Sequence, residues 1–226
     1  MHPLQTKISC VTTNDPEHAF NSVEAAIAAI YRGEFVVVVD DEQRENEGDL
    51  VLAASAATPE ALAFIVRHTS GVICVSLPAE ALDRLALPLM VEKNSESHQT
   101  AFTVSVDLQH GVSTGISATD RAATIRALSD RTSKPADFAR PGHVFPLRCR
   151  PGGVLERPGH TEAAQDLVHL ASRGIGGVLC ELVNDDGSMA RRADLFRFAL
   201  THNLTIISIP QLIAFRHGLS ASLMHA

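Results

Sequence analysis

The chain alternates short apolar runs with stretches that repeat an apolar residue every three or four positions. Val23, Ala26, Ile27 and Ile30 share one helical face, behind a capping Asn21 or Ser22 and ahead of a stopping Gly33. That spacing predicts a helix through Tyr31. Four valines at 36–39 then read as a strand, and 50–54 as a second one. Thr58-Pro59 joins a cap to a proline at the first helical position, which opens a helix over 59–67. A strand over 71–77 and a short helix over 78–85 follow. Apolar and polar residues alternate over 102–108, as in a half-buried strand. Ser117, with Asp120 three positions on, has the form of a capping box for a helix to Leu128. Pro135, Pro141, Pro146, Pro151 and Pro158 interrupt 130–160, where only 144–150 reads as strand. Ala163, Ala164, Leu167, Val168 and Ala171 stripe a helix over 161–173. Gly176-Gly177 breaks it, 178–183 is a strand and 184–187 a turn. A helix over 192–202, a strand over 205–209 and a helix over 210–216 complete the series. No linker divides these elements. They predict a single α/β (α+β) domain over 18–218, a mixed β-sheet covered by helices, between an N-terminal arm (1–17) and a C-terminal tail (219–226).

Composition narrows the class. With 226 residues, 45% apolar and 20% charged, the chain can bury a sizeable core. A net charge of −7 offers no basic excess to neutralise phosphates, so no nucleic-acid partner is expected. No apolar run approaches the roughly 20 residues of a membrane span, and residues 1–15 lack an apolar signal region. Cys10, Cys74, Cys149 and Cys180 stand far apart, without a zinc-type pair. Cys74 and Cys180 lie in apolar runs and read as buried thiols, which fits a reducing, cytoplasmic compartment.

The chemistry concentrates between the first two strands. Asp40, Asp41, Glu42, Glu45, Glu47 and Asp49 crowd into ten residues, with Arg44 as the one cation. Such charge, folded between buried strands, calls for an offsetting cation: a divalent metal, Arg44, or both. A solvated acidic turn is the plain alternative. An EF-hand does not fit, since placing Gly48 at its invariant sixth position puts Ala54 where the bidentate Glu belongs.

Arg-Pro-Gly-His occurs twice, at 140–143 and 157–160. In the second copy His160 stands at a helix start, where the dipole disfavours the imidazolium and leaves a neutral ring able to ligate a metal. The amides around Thr161 and Glu162 are open to an anion such as a phosphate, and Arg157 offers a charged fork to it. An exposed N-cap turn is the plain alternative. Glu181 lies inside the apolar run 178–183. A carboxylate there needs a partner, or else simply faces outward. Gly111-Val112-Ser113-Thr114-Gly115 matches the Gly-x-Ser-x-Gly elbow of serine hydrolases, between a strand and a helix, but no Gly-rich oxyanion segment precedes it. Gly174-Ile175-Gly176-Gly177 precedes its strand, so it is not a dinucleotide fingerprint.

Taken together, the acidic stretch 40–49, His68-Thr69-Ser70-Gly71, Thr114-Gly115-Ile116-Ser117-Ala118, Arg140-Pro141-Gly142-His143-Val144-Phe145-Pro146-Leu147, Gly159-His160-Thr161-Glu162-Ala163 and Gly177-Val178-Leu179-Cys180-Glu181-Leu182 resemble 3,4-dihydroxy-2-butanone 4-phosphate synthase, in order and over nearly the whole chain. The chain's end matches the single-function form of that family; bifunctional relatives continue into a GTP cyclohydrolase II domain. The resemblance implies a lyase of riboflavin biosynthesis that converts D-ribulose 5-phosphate to 3,4-dihydroxy-2-butanone 4-phosphate and formate. It implies Mg²⁺ or Mn²⁺ as cofactor and a homodimer with sites near the subunit interface. It makes Glu45 and His160 metal ligands. Arg44, Glu45, Asp49, Arg157, Pro158, Gly159, His160, Thr161 and Glu181 would bind substrate, and His143, Glu181, Glu47 and Asp49 would serve the chemistry. A second reading is a sugar-phosphate-binding protein without turnover. Cys74 and Thr114 either line the pocket or merely pack. Pro158 stands where Gly is common in the family, and His98 where Tyr is familiar.

Overall fold

The computed structural model describes residues 19–224. The expected arm at 1–17, with Cys10, lies outside them. Helix α1 (Val23–Arg32) starts at Ser22, whose hydroxyl accepts from the Ala25 amide, and ends at Gly33 in the left-handed region. Asn21 does not cap this helix; its side chain accepts from the Ile206 amide instead. Next come β1 (Val36–Val39), β2 (Gly48–Ala53), α2 (Pro59–His68), β3 (Cys74–Leu77) and α3 (Ala79–Arg84). Then follow β4 (Val106–Leu108), α4 (Ala118–Ser129), β5 (Phe138–Arg148) and α5 (His160–Leu170). The chain closes with β6 (Gly177–Glu181), α6 (Arg192–Thr201), β7 (Thr205–Ser208) and α7 (Ile209–Met224).

The seven strands form one mixed sheet in the order β4-β5-β3-β6-β2-β1-β7. Pairs β1–β7 and β3–β5 are parallel; β1–β2, β2–β6, β3–β6 and β4–β5 are antiparallel. The valine run explains the two-sided packing. Val37 and Val39 join a core with α2, α3, α4 and α6, while Val36 and Val38 join a core with α1, α5 and α7. A strand buried on both faces needs no polar alternation. Each fully buried Leu, Ile or Val side chain contributes roughly 1.5–3 kcal/mol. No helix among the described residues is long and apolar enough to cross a membrane.

Strand β3 starts three residues later than the pattern predicts and α5 ends three residues earlier. Three further elements depart from the sequence pattern. The alternating run 102–108 yields only a three-residue strand, because Phe102 and Thr103 make isolated bridges to Leu147 and Leu89. Strand β5 begins six residues earlier than expected and contains two prolines. Its register to β4 jumps: Val106 faces Val144, but Asp107 faces Ala139, so residues 140–143 bulge out. Gly142 is required there, since a Cβ would run into the Val106–Asp107 backbone. Helix α7 runs on to Met224, well into the expected tail.

Candidate active site

The acidic stretch is the connection between β1 and β2, and Asp40 organises it. Its buried carboxylate accepts from Arg44 (3.1 Å), from the Glu45 amide (3.0 Å) and from the Glu47 amide (2.9 Å). Asp41 accepts from the Gln43 amide (2.8 Å), and Arg191 donates to the carbonyls of Glu45 (2.9 Å) and Asn46 (2.6 Å). Asn46 takes the left-handed conformation that lets the loop turn back. Three bonds to one buried carboxylate fix the backbone on which Glu45 and Glu47 stand.

Two other elements bring partners to this loop. Strand β6 lies beside β2 with Glu181 opposite Asp49. Helix α5 packs across the same strands, and its first residue, His160, faces the loop. His160 Nδ1 is 3.4 Å from Glu45 Oε2 and 4.0 Å from Asp49 Oδ1. Arg44, Glu45, Asp49, Arg157, His160, Thr161 and Glu181 line one cleft of about 170 Å³, with Cys74 at its wall. Leu147, Leu179 and Phe102 supply its apolar side.

Burial and neighbouring charges compete in the cleft, and the outcome differs from group to group. Burial works against the Glu45 charge, but its bond to His160 and the charge of Arg44 hold the carboxyl at about 2. Asp49 is pushed up to about 7 by burial, with Glu181, Glu45 and Glu47 adding repulsion against the attraction of His160. Burial, partly offset by Arg191, also raises Glu47. Burial disfavours the His160 cation, yet Asp49, Glu45 and Asp40 raise the ring to about 9. The helix dipole alone predicts a neutral imidazole; the surrounding carboxylates reverse that, because they are nearer and carry full charges. A metal bound there must displace this proton. Burial pushes the Cys74 thiol well above its usual range, which leaves it a wall residue.

At the start of α5, the amides ahead of the first helical bond, Ala163 to Gly159 (3.0 Å), are free of helical partners. Gly159 caps the helix, and a Cβ there would collide with the Arg157 guanidinium and crowd Arg44. Arg157 is already engaged, donating to Glu162 (2.7 Å), the His98 carbonyl (3.1 Å) and Thr100 Oγ1 (3.0 Å). It thereby ties the loop 94–100 to the helix. That loop is wound on Glu96, which accepts from the amides of His98 (2.7 Å) and Thr100 (2.8 Å). His98 Nε2 stands 3.7 Å from Glu45 Oε1. Pro158 lines the adjoining groove with Arg44 and His98, not the cleft itself.

His143 and Thr114 do not line this cleft, and neither does Glu47, although its charge acts on Asp49 and it feels that of Glu45. His143 sits on the β5 bulge, where Asp107 accepts from its amide (2.9 Å) and contacts its Nδ1 (2.7 Å). Sequence reading missed Asp107, since one acid in an alternating strand gives no signal until the bulge brings His143 to it. The duplicated tetrapeptide thus has two unlike settings, a strand bulge and a helix start. Ser113, the residue of the hydrolase-like motif, donates to Asp120 (2.7 Å) instead of pairing with a histidine. Asp120 also accepts from the Gly115 amide (3.1 Å), so the capping box is half made: Ser117 caps α4, but Asp120 turns to the preceding loop.

The donors suit a hard divalent cation. Ligand atoms of Asp40, Glu45 and His160 lie within 4.8 Å of one another. Asp40 spends its oxygens on loop amides and Arg44; Glu45, though paired with Arg44 (2.7 Å), accepts no loop amide and turns to His160, so these two are the candidate pair. Asp49 Oδ1 and His160 Nε2 are buried without a hydrogen-bond partner. A spacing of 3.4 Å is close to what two ligands with legs of about 2.1 Å can span around one ion.

A family model described as 3,4-dihydroxy-2-butanone 4-phosphate synthase matches residues 24–215. The chain belongs to this family. It is 55% identical over 196 residues to the 3,4-dihydroxy-2-butanone 4-phosphate synthase of Agrobacterium fabrum, covering 87% of this chain and 92% of that one. It is 59% identical to the bifunctional riboflavin biosynthesis protein RIBA 1, chloroplastic, of Arabidopsis thaliana, over 89% of this chain but only 37% of that protein. The RibBA protein of Salinispora arenicola is 59% identical over 87% of this chain and 47% of its own length. The chain therefore spans less than half the length of these two relatives. A solved 3,4-dihydroxy-2-butanone 4-phosphate synthase in complex with two magnesium ions matches with a TM-score of 0.85 and 43% identity, over 88% of this chain and 98% of that one. The family's fold and the mixed sheet described above are the same.

Proposed function

We propose that the chain is a metal-dependent lyase that converts D-ribulose 5-phosphate to 3,4-dihydroxy-2-butanone 4-phosphate and formate, a step of riboflavin biosynthesis. The observation that carries this reading is Glu45 and His160 meeting at 3.4 Å beside the facing carboxyls of Asp49 and Glu181. Glu45 and His160 are the proposed metal ligands. Mg²⁺ is the first choice, in line with the magnesium-bound relative, and Mn²⁺ suits the same oxygen and nitrogen donors. When bound, the ion supplies Lewis acidity to the ketone and a neighbouring hydroxyl.

The remaining work falls to side chains. Asp49, with its carboxyl near 7, is suited to give and take protons at neutral pH. Glu181 faces the same space from β6, and Glu47 is the further carboxylate for proton transfer. Arg44, Thr161 and the first turn of α5, entered through Pro158 and Gly159, bind the sugar phosphate. Arg157 joins them by exchanging its bonds to the 94–100 loop for the phosphate. His143 acts from elsewhere: its Asp107 partner fixes Nδ1 and turns Nε2 outward, as a base needs. A homodimer that carries His143 of one subunit to the cleft of the other reconciles its role with its place. The three described cysteines are free and buried, which supports a reducing, cytoplasmic setting.

The test is a mass balance. Purified protein with ribulose 5-phosphate and Mg²⁺ should yield one formate and one four-carbon phosphate for each sugar phosphate consumed. Tight sugar-phosphate binding without either product would favour the reading without turnover.

A further inference from the structure

Glu181 ends strand β6 opposite Asp49, in the most acidic part of the cleft. A carboxylate there can rotate away from its neighbour unless something holds it. The turn after α2 supplies a holder. The Ser70 amide donates to the Glu181 carbonyl (2.8 Å), and Ser70 Oγ lies 2.5 Å from Glu181 Oε2. An ionised carboxylate only accepts, so the Ser70 hydroxyl is the donor to Glu181. Val72 donates its amide to Ser70 Oγ (3.2 Å), which fixes the oxygen in place. Cys180 Sγ, at 3.5 Å, is the weaker competitor. The platform itself is anchored: Thr69 Oγ1 donates to the Ile65 carbonyl (2.7 Å) and accepts from the Gly71 amide (3.3 Å), and Thr69 bridges to Leu182. Among the described residues this is the one hydrogen bond made by the Glu181 carboxylate.

We propose that Ser70 is the positioning residue for Glu181, clasping its backbone and aiming its carboxylate into the cleft for proton transfer. This rests on the lyase reading above. Ser70 itself does not line the cleft. Its hydroxyl acts only through Glu181.

The experiment compares Ser70→Ala and Ser70→Thr in formate release and, separately, in Mn²⁺ binding by electron paramagnetic resonance. Ser70→Ala should lower kcat by about tenfold or more, as expected when an interaction is needed chiefly in the transition state. KM for ribulose 5-phosphate and Mn²⁺ affinity should stay within about twofold, since the lost group contacts neither. Ser70→Thr, which keeps the hydroxyl, should restore most of kcat. In a Glu181→Asp background, whose shorter carboxylate cannot reach Ser70 Oγ, Ser70→Ala should have no further effect. A wild-type kcat in Ser70→Ala would overturn the proposal and leave the lyase reading standing. So would an undiminished Ser70→Ala penalty in the Glu181→Asp background, or a parallel loss of Mn²⁺ affinity and melting temperature. Wild-type protein that releases no formate would overturn both.

Discussion

Asp40 and Glu45 are both acids of one loop, yet the structure gives them opposite roles. Asp40 is buried and saturated by Arg44 and two amides, while Glu45 is partly exposed and turned to His160. Asp40→Asn would put an amide NH₂ against a backbone N–H, leaving a buried donor unsatisfied. It should cost about 1–3 kcal/mol, seen as a lower urea midpoint in the presence of chelator. If Asp40 were instead a metal ligand, its stability effect would vanish once metal is removed. The density of acids was legible in the sequence, and so was the need for a cation. Which acid holds the loop and which turns to the cleft was not, because that depends on three hydrogen bonds whose partners share no pattern.

Helices with caps were readable because their signals are local. Ser22 and Gly33 bound α1, and Thr58-Pro59 opens α2 where the spacing places it. Strand β5 was hidden by its prolines, since a ladder tolerates them only where their own missing N–H is not needed, and only the pairing to β3 and β4 decides that. The 94–100 loop is polar in sequence, yet Glu96 organises it. Burial opposes the Glu96 charge, but the bonds from His98, Thr100 and Ser97 together outweigh it and hold its carboxyl at about 2. A carboxyl depressed in the folded state stabilises the loop above its unfolded value and loses that effect as pH falls toward 2. The His98 and Thr100 amide resonances should therefore move between about pH 4.5 and 2. Amide shifts that stay constant over this window would show that Glu96 does not hold the loop.

At the scale of the molecule, the sheet order makes the site. Strands β2 and β6 are neighbours although the helix carrying His160 and most of the chain lie between them in sequence. Motifs could name Glu45, His160 and Glu181, but their meeting is a long-range fact of topology. His143 was legible as a residue of interest, whereas its separation from the cleft was not. Shared sites across a dimer predict complementation: His143→Ala and Glu45→Gln subunits, each inactive alone, should regain about one quarter of wild-type activity when randomly mixed, because half the dimers are mixed and each holds one intact site. No recovery on verified subunit exchange would place His143 and its cleft in the same subunit. The most direct test of the account is the rate of formate release by chelator-stripped protein as Mg²⁺ is returned. The rate should start at zero and rise to saturation, while Glu45→Gln stays near zero over the same range. Full-rate formate release before any divalent ion is added, or the wild-type Mg²⁺ curve in Glu45→Gln, would contradict a lyase built on Glu45 and His160.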